Sequence, residues 1–197
     1  MCGLSDARYD AAVAAIDSAN AADPTIVVVR GRAQPLALAH GVLAGEWVLH
    51  LHPGADETWL LAARAHHLRR WELPRTQYDP GKAGYLRWKR AQRERHAHDV
   101  GTLLASAGYT AAEIERVQAL VRRDRLATDA GSQAVEDAAC LVFIETQLAD
   151  VATKLEPDHL VDVVRKTAKK MSPAALAAVA HIPLGEPEQA LIAVALA

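Results

Sequence analysis

Cysteine, methionine and phenylalanine are scarce: two, two and one respectively in 197 residues, with aromatic side chains only 5% of the chain. Cys2 and Cys140 are too few for a disulfide framework, and Cys140 lies in an apolar run. Both are therefore expected as free thiols in a reducing compartment. No apolar stretch reaches the ~20 residues a bilayer crossing needs, and no basic segment followed by an apolar core opens the chain. A cytoplasmic protein without a membrane partner is the expectation. An excess of one charge is missing too. With 22 basic and 24 acidic residues the net charge is −2, so no global field draws in nucleic acid, which is an unlikely partner.

What the chain has in abundance is alanine, leucine and valine, and 51% of it is hydrophobic. That composition favours helix and is enough for one domain to bury a core without staples. Helical spacing and caps predict an all-α protein of about eight helices, one domain spanning 1–197 with a C-terminal helical cap over 157–197. The expected helices run over 5–20 (with Ser5 as N-cap), 36–51, 57–71, 82–107, 111–123 and 133–154. Short helices follow, with Pro157 and Pro173 in their first turns. Asp56 is the expected cap of the third, and Thr110-Ala111-Ala112-Glu113 forms a capping box for the fifth. Pro74 forces Leu73 out of the α region, so the third helix is expected to close near Trp71. The one β-like run, Ile26-Val27-Val28-Val29, is an extended connector or a strand with no obvious partner.

Charge is unevenly spread. From Arg64 to Arg95 ten Lys or Arg face three acids, Glu72, Asp79 and Glu94. A solvated helix face is the ordinary meaning of such a run. At its head stands Ala62-Ala63-Arg64-Ala65-His66-His67-Leu68-Arg69-Arg70-Trp71, where two histidines and two arginines arrive together. Finishing a core helix is one use for them. Aiming metal ligands and phosphate donors into one pocket is another. Of nine histidines, His50, His52, His98, His159 and His181 are expected on the surface or in ordinary packing. His40, His66, His67, His96 and Asp137 each fall within an expected apolar helix. If they converge, they meet the need of a first-row transition metal for imidazole and carboxylate donors from separate elements.

Two resemblances sharpen this. Leu36 to Val42 around His40, His66-His67-Leu68-Arg69-Arg70, and Val135-Glu136-Asp137-Ala138-Ala139 resemble, in that order, the His, His-Asp-Ile-Gly-Lys/Arg and late Asp segments of HD-domain phosphohydrolases. Here His67 stands where the Asp belongs, and Arg70 is on the basic position. More closely, residues 5–185 resemble a family known as domain of unknown function 4202. The landmarks are Ala-Arg-x-x-His-x-x-Arg-Trp-x-x-Pro-Arg (Ala63 to Arg75), Ala-Gly-Tyr-Leu-Arg-Trp (Ala83 to Trp88) and Glu-Asp-x-Ala-Cys-Leu-Val-Phe (Glu136 to Phe143).

The HD resemblance implies an HD-like helical core over about 34–155 and a metal-dependent phosphohydrolase acting on a small phosphorylated metabolite or nucleotide. The implied metal ligands are His40, His66, His67, His96 and Asp137, with His67 the firmer of the adjacent pair. Histidine in place of aspartate favours Fe, Mn, Zn or Ni over Mg. Arg70, Arg75, Arg122 and Arg123 would grip phosphate, Trp71 would stack a base, and Glu136 or Glu72 would serve as general base. Set against this, Arg122 and Arg123 at a helix C-terminus already suit the helix dipole, and Trp71 can close a core. Two other functions stay open: a di-iron oxygenase using His96 as an extra ligand, and a binding module without chemistry. A homo-oligomer is open as well.

Overall fold

Caps and periodicity set most of the helices of the protein, described here by a computed structural model that covers residues 3–196, with side chains from residue 7. Helix makes up 72% and strand 4% of it, an all-α protein. The helices are α1 (Gly3–Asn20), α2 (Leu36–Leu51), α3 (Glu57–Arg64), α4 (Gly81–Ser106), α5 (Ala111–Arg122), α6 (Ala130–Thr146), α7 (Leu148–Ala152), α8 (Pro157–Ala168), α9 (Pro173–Ala178) and α10 (Glu186–Leu196). Asp56 accepts from the Thr58 amide at the start of α3, and the Thr110/Glu113 capping box opens α5. Pro157 and Pro173 occupy first turns. The expected Ser5 cap and the Cys2 thiol lie outside the described side chains, whereas Cys140 is buried and free. No helix among the described residues is long and apolar enough to cross a membrane.

Three expectations need correction. Ile26–Val29 does have a partner: it pairs antiparallel with Arg32–Pro35. Arg30 (φ 50) and Gly31 (φ 77) make the two-residue link, and two successive positive φ values give a turn whose twist matches the strands. The Arg30 side chain ties the hairpin to the bundle through Glu46 of α2 and Glu145 of α6. The long helix expected over 133–154 breaks at Gln147 into α6 and α7. Most important for the site, α3 ends at Arg64, a full two turns before Trp71. Residues 65–69 form turns, and Arg70–Glu72 a short 3-10 turn. One local bond and two tertiary contacts outweigh helix propensity there. The His66 ring turns back onto the Ala63 carbonyl (2.8 Å), Leu68 is fully buried, and Asn20 Oδ1 takes the Arg69 amide (3.1 Å).

Two apolar clusters flank that turn. One joins α2 and α6 to the C-terminal helices through Leu43, Val48, Leu141, Leu160, Val164 and Ala175. The other joins α1, α3, α4 and α5 through Ile16, Leu61, Val100, Leu104 and Leu120, with Val135 of α6 reaching into it. Close approach of α2 to the end of α3 depends on Gly41, where a Cβ would stand 2.6 Å from the Arg64 carbonyl oxygen. His40, next to it, is thereby brought against the turn that follows α3.

Candidate functional site

Four of the nine histidines meet where α2, the turn after α3, and α4 come together. His40 Nδ1 lies 3.0 Å from His67 Nδ1. Ring centroids are 4.0 Å apart for His66 and His67, 5.2 Å for His40 and His67, and 6.2 Å for His67 and His96. His66 and His67 do not sit within an apolar helix as expected, but in the turn beyond it. The turn is pinned by α4, whose side chains collect its carbonyls. His96 Nδ1 donates to Leu68 O (2.7 Å), Gln92 Nε2 to Arg70 O and Leu73 O (both 2.9 Å), and Trp88 Nε1 to Leu73 O (2.9 Å).

All four imidazoles are held neutral. Burial, then the Arg70 charge, lowers His40 to about 4 and His96 to about 3. Burial first, with neighbouring cations and rings behind it, drives His66 and His67 well below the ordinary value. A neutral imidazole has one N–H and one electron pair. His66 and His96 each give the Nδ1 proton to a backbone carbonyl, which leaves Nε2 as the electron-pair donor. Both Nε2 atoms are buried without a hydrogen-bond partner. Each of these rings therefore keeps an unshared electron pair inside the protein.

His66, His67 and His96 line a cavity of about 240 Å³ whose remaining polar wall is strongly cationic. Arg70, Lys89, Arg93, Arg123 and Lys170 face it, and Glu136 is the one carboxylate on its wall. Burial alone would raise the Glu136 carboxyl, but Arg123, Arg93, Lys170 and Lys89 outweigh it and hold the group below its usual value. Arg123 Nε reaches it at 3.2 Å, Arg93 at 3.4 Å and Lys170 at 3.8 Å. Its job in the free protein is thus to order cations, and its lowered affinity for protons makes it a weak base. Arg70 has no acidic partner among the described ion pairs. Its guanidinium lies over the Trp88 ring, 4.7 Å from the centroid.

Other expected site residues are elsewhere. Asp137 is buried but is not on the cavity wall; its Oδ1 accepts from Gln133 (2.9 Å) and from the Ser172 amide (2.8 Å). Successive helical residues point about 100° apart, so α6 can turn Glu136 to the cavity only by turning Asp137 away. Among the described residues no three His, Cys, Asp or Glu side chains are arranged to hold a metal ion. His40 stands behind His67, and its Nε2 faces Thr146 Oγ1 at 3.0 Å. Glu72 pairs with Arg95 at the surface. Arg75 clamps its own loop through the carbonyls of Tyr78 and Asp79, and Arg122 pairs with Asp124. Trp71 lines a second, more apolar cavity of about 320 Å³ that shares His67, Arg70 and Gln147 with the first. His50 packs edge-on to His181, and His52 edge-on to Trp59, as ordinary packing histidines.

Lys89, Arg93, Gln92 and Lys170 are the contributors that sequence reasoning passed over. Tyr85, Lys89, Gln92 and His96 follow one another at i, i+4, i+7 and i+11, a single face of α4. That stripe was visible within the basic run. Lys170 lies beyond the end of α8 and is announced by no pattern.

No curated protein and no solved structure matches the chain. The profile of one family, described as Domain of unknown function (DUF4202), matches residues 10–192, a span that takes in every residue of the cavity wall. The chain belongs to that family.

Proposed function

We propose that the protein is a metal-dependent phosphohydrolase of the HD-like type, acting on a small phosphorylated metabolite or nucleotide. The observation that carries the reading is the meeting, in one cavity, of two buried and partnerless imidazole Nε2 atoms with five cationic side chains. So much positive charge around neutral imidazoles calls for an anionic ligand. Phosphate suits it, because guanidinium forks grip its oxygens in pairs. The HD-like assignment is supported by one backbone detail. The Gly of the run His-Asp-Ile-Gly-Lys/Arg falls on Arg69, and Arg69 has the left-handed φ (49°) that glycine adopts most easily.

In this reading His66, His67 and His96, which line the cavity without being arranged as a ready ligand set, would have to close on the metal, an ion such as Fe, Mn, Zn or Ni. When bound, the metal supplies Lewis acidity toward a phosphoryl oxygen and toward the attacking water. Arg70 binds the phosphate and carries no competing carboxylate. Lys89, Arg93 and Lys170 neutralise the charge that builds on its oxygens, while Arg123 and Glu136 fix the geometry of that group of cations. The di-iron oxygenase alternative asks for carboxylate ligands, as carboxylate-rich di-iron sites do. The single carboxylate on the wall is already engaged by three cations.

A binding module without chemistry has one observation in its favour, the rotation of Asp137 away from the cavity. One experiment separates the two. Untagged protein is assayed for metal by elemental mass spectrometry, then incubated with nucleoside monophosphates and sugar phosphates with and without Mn²⁺. Retained metal and metal-dependent phosphate release are expected. Tight binding of phosphate with no metal and no turnover would replace the enzyme with the binding module.

A further inference from the structure

The hydrogen bonds around His40 decide the protonation of a neighbour. Thr146 has one hydroxyl proton and two contacts, the Val142 carbonyl at 2.7 Å and His40 Nε2 at 3.0 Å. A threonine in the last turn of a helix gives its proton to the carbonyl four residues back, and the shorter contact agrees. Thr146 Oγ1 is then an acceptor toward His40, so His40 carries its proton on Nε2. Its Nδ1 is left with an electron pair, which faces His67 Nδ1 at 3.0 Å. That contact needs one proton, and only His67 can supply it. His67 is therefore protonated on Nδ1 and bare on Nε2.

We infer that Thr146 and His40 are positioning residues that lock His67 in the Nδ1–H tautomer, so that three imidazoles, and not four, present electron pairs at the cavity. His66, His67 and His96 then share one design: each gives Nδ1–H to an acceptor (Ala63 O, His40 Nδ1 and Leu68 O) and keeps Nε2 free. His40 is not a ligand, since both of its nitrogens are committed within the protein. The tautomer argument needs neutral rings, and among the described residues none of the four has a carboxylate as a hydrogen-bond partner, while the Arg70 guanidinium shares a cavity wall with each of them. The metal half of this inference rests on the proposed hydrolase reading. The tautomer half does not.

The test is long-range ¹H–¹⁵N correlation NMR of metal-free, ¹⁵N-histidine-labelled protein at pH 7.5, followed by Co²⁺ titration read by absorbance. Expected are Nδ1–H tautomers for His66, His67 and His96 and Nε2–H for His40. Thr146→Val should mix the tautomers of His40 and His67 and weaken Co²⁺ binding about tenfold or more, while Thr146→Ser should restore both. His67→Ala should abolish the Co²⁺ spectrum, and His40→Ala should only weaken binding. An Nε2–H tautomer at His67 would overturn the relay. The expected tautomers without Co²⁺ binding would leave the relay standing and bring down the hydrolase reading and the ligand assignment together. Loss of the Co²⁺ spectrum in His40→Ala as complete as in His67→Ala would make His40 a ligand and overturn the inference.

Discussion

Arg69-Arg70 and Arg122-Arg123 look alike in the sequence, each a doublet at the end of an apolar helical stretch, yet the fold spends them differently. In the first, the left-handed residue is Arg69 (φ 49). Its amide is held by Asn20, and the reversal swings the next residue, Arg70, onto the cavity wall. In the second, Arg123 is itself left-handed (φ 64), and its own side chain, 6% exposed, goes inward to Glu136 and the Val121 carbonyl. Arg122 stays outside with Asp124. One doublet gives the cavity a guanidinium with no acidic partner, and the other gives it one already committed. The lesson is that a left-handed residue past a helix end selects which member of an arginine pair enters the site. Burial and ion pairing then decide whether that arginine binds ligand or holds the wall.

The contrast can be broken in four places. The largest effect is expected from Arg123→Ala, which strands the buried Glu136 carboxylate without its closest cation. A loss of about 3 kcal/mol should appear in urea unfolding, the usual cost of opening a buried ion pair. If Arg123 is as dispensable as a surface arginine, the curve will not move. Arg70→Ala should leave unfolding nearly unchanged and weaken binding of inorganic phosphate tenfold or more, by calorimetry, which is the loss of about one charge-assisted hydrogen bond. Equal phosphate affinity in wild type and Arg70→Ala would remove Arg70 from the binding set.

Acid titration sharpens the same difference. His40 and His96 are lowered to about 4 and about 3 when folded, whereas in the unfolded chain they titrate near 6.5. Below that value the unfolded state takes up protons that the folded state refuses, so stability is full above pH 6.5 and falls with acid toward the folded values. Each of these histidines should cost about 1.4 kcal/mol by pH 5.5. Arg70 contributes to both shifts, so the fall in Arg70→Ala should be shallower. An identical pH profile in the two proteins would show that burial acts alone. The smallest effects are at Arg69 and, below it, Arg122. Arg69→Gly relieves the left-handed strain and should stabilise by up to about 1 kcal/mol, with Arg122→Ala, a surface pair, within about 0.5 kcal/mol of wild type. A destabilised Arg69→Gly would mean that its side chain, and not its backbone, matters.

Much of the fold was open to sequence reading because its signals are local. Asp56, the Thr110/Glu113 box, Pro157 and Pro173 act on neighbouring amides, and each marks a helix start correctly. The sequence could name His40, His66, His67 and His96 as candidates but could not show that they converge, which only the packing of α2, α4 and the turn after α3 decides. Where reading failed, the deciding contact was distant. Pro74 suggested a helix running to Trp71, but Asn20, Gln92 and His96 capture the backbone after Arg64 from other helices. Glu136 and Asp137 are neighbours with equal claims on paper, and only the rotation of α6 separates them. Gln133 and the Ser172 amide, in turn, give Asp137 somewhere else to bond.

The sequence by itself determined that this is a helical protein, with a cluster of imidazoles and guanidiniums at one helix end, because propensity, capping and composition are properties of short stretches of chain. The tertiary structure alone decided the roles. It set which arginine faces the cavity and which carboxylate lines it. Through a threonine 106 positions away from His40, it also set which nitrogen of His67 is bare. Those choices depend on where a proton or a charge finds its partner, and a partner is defined by position in space.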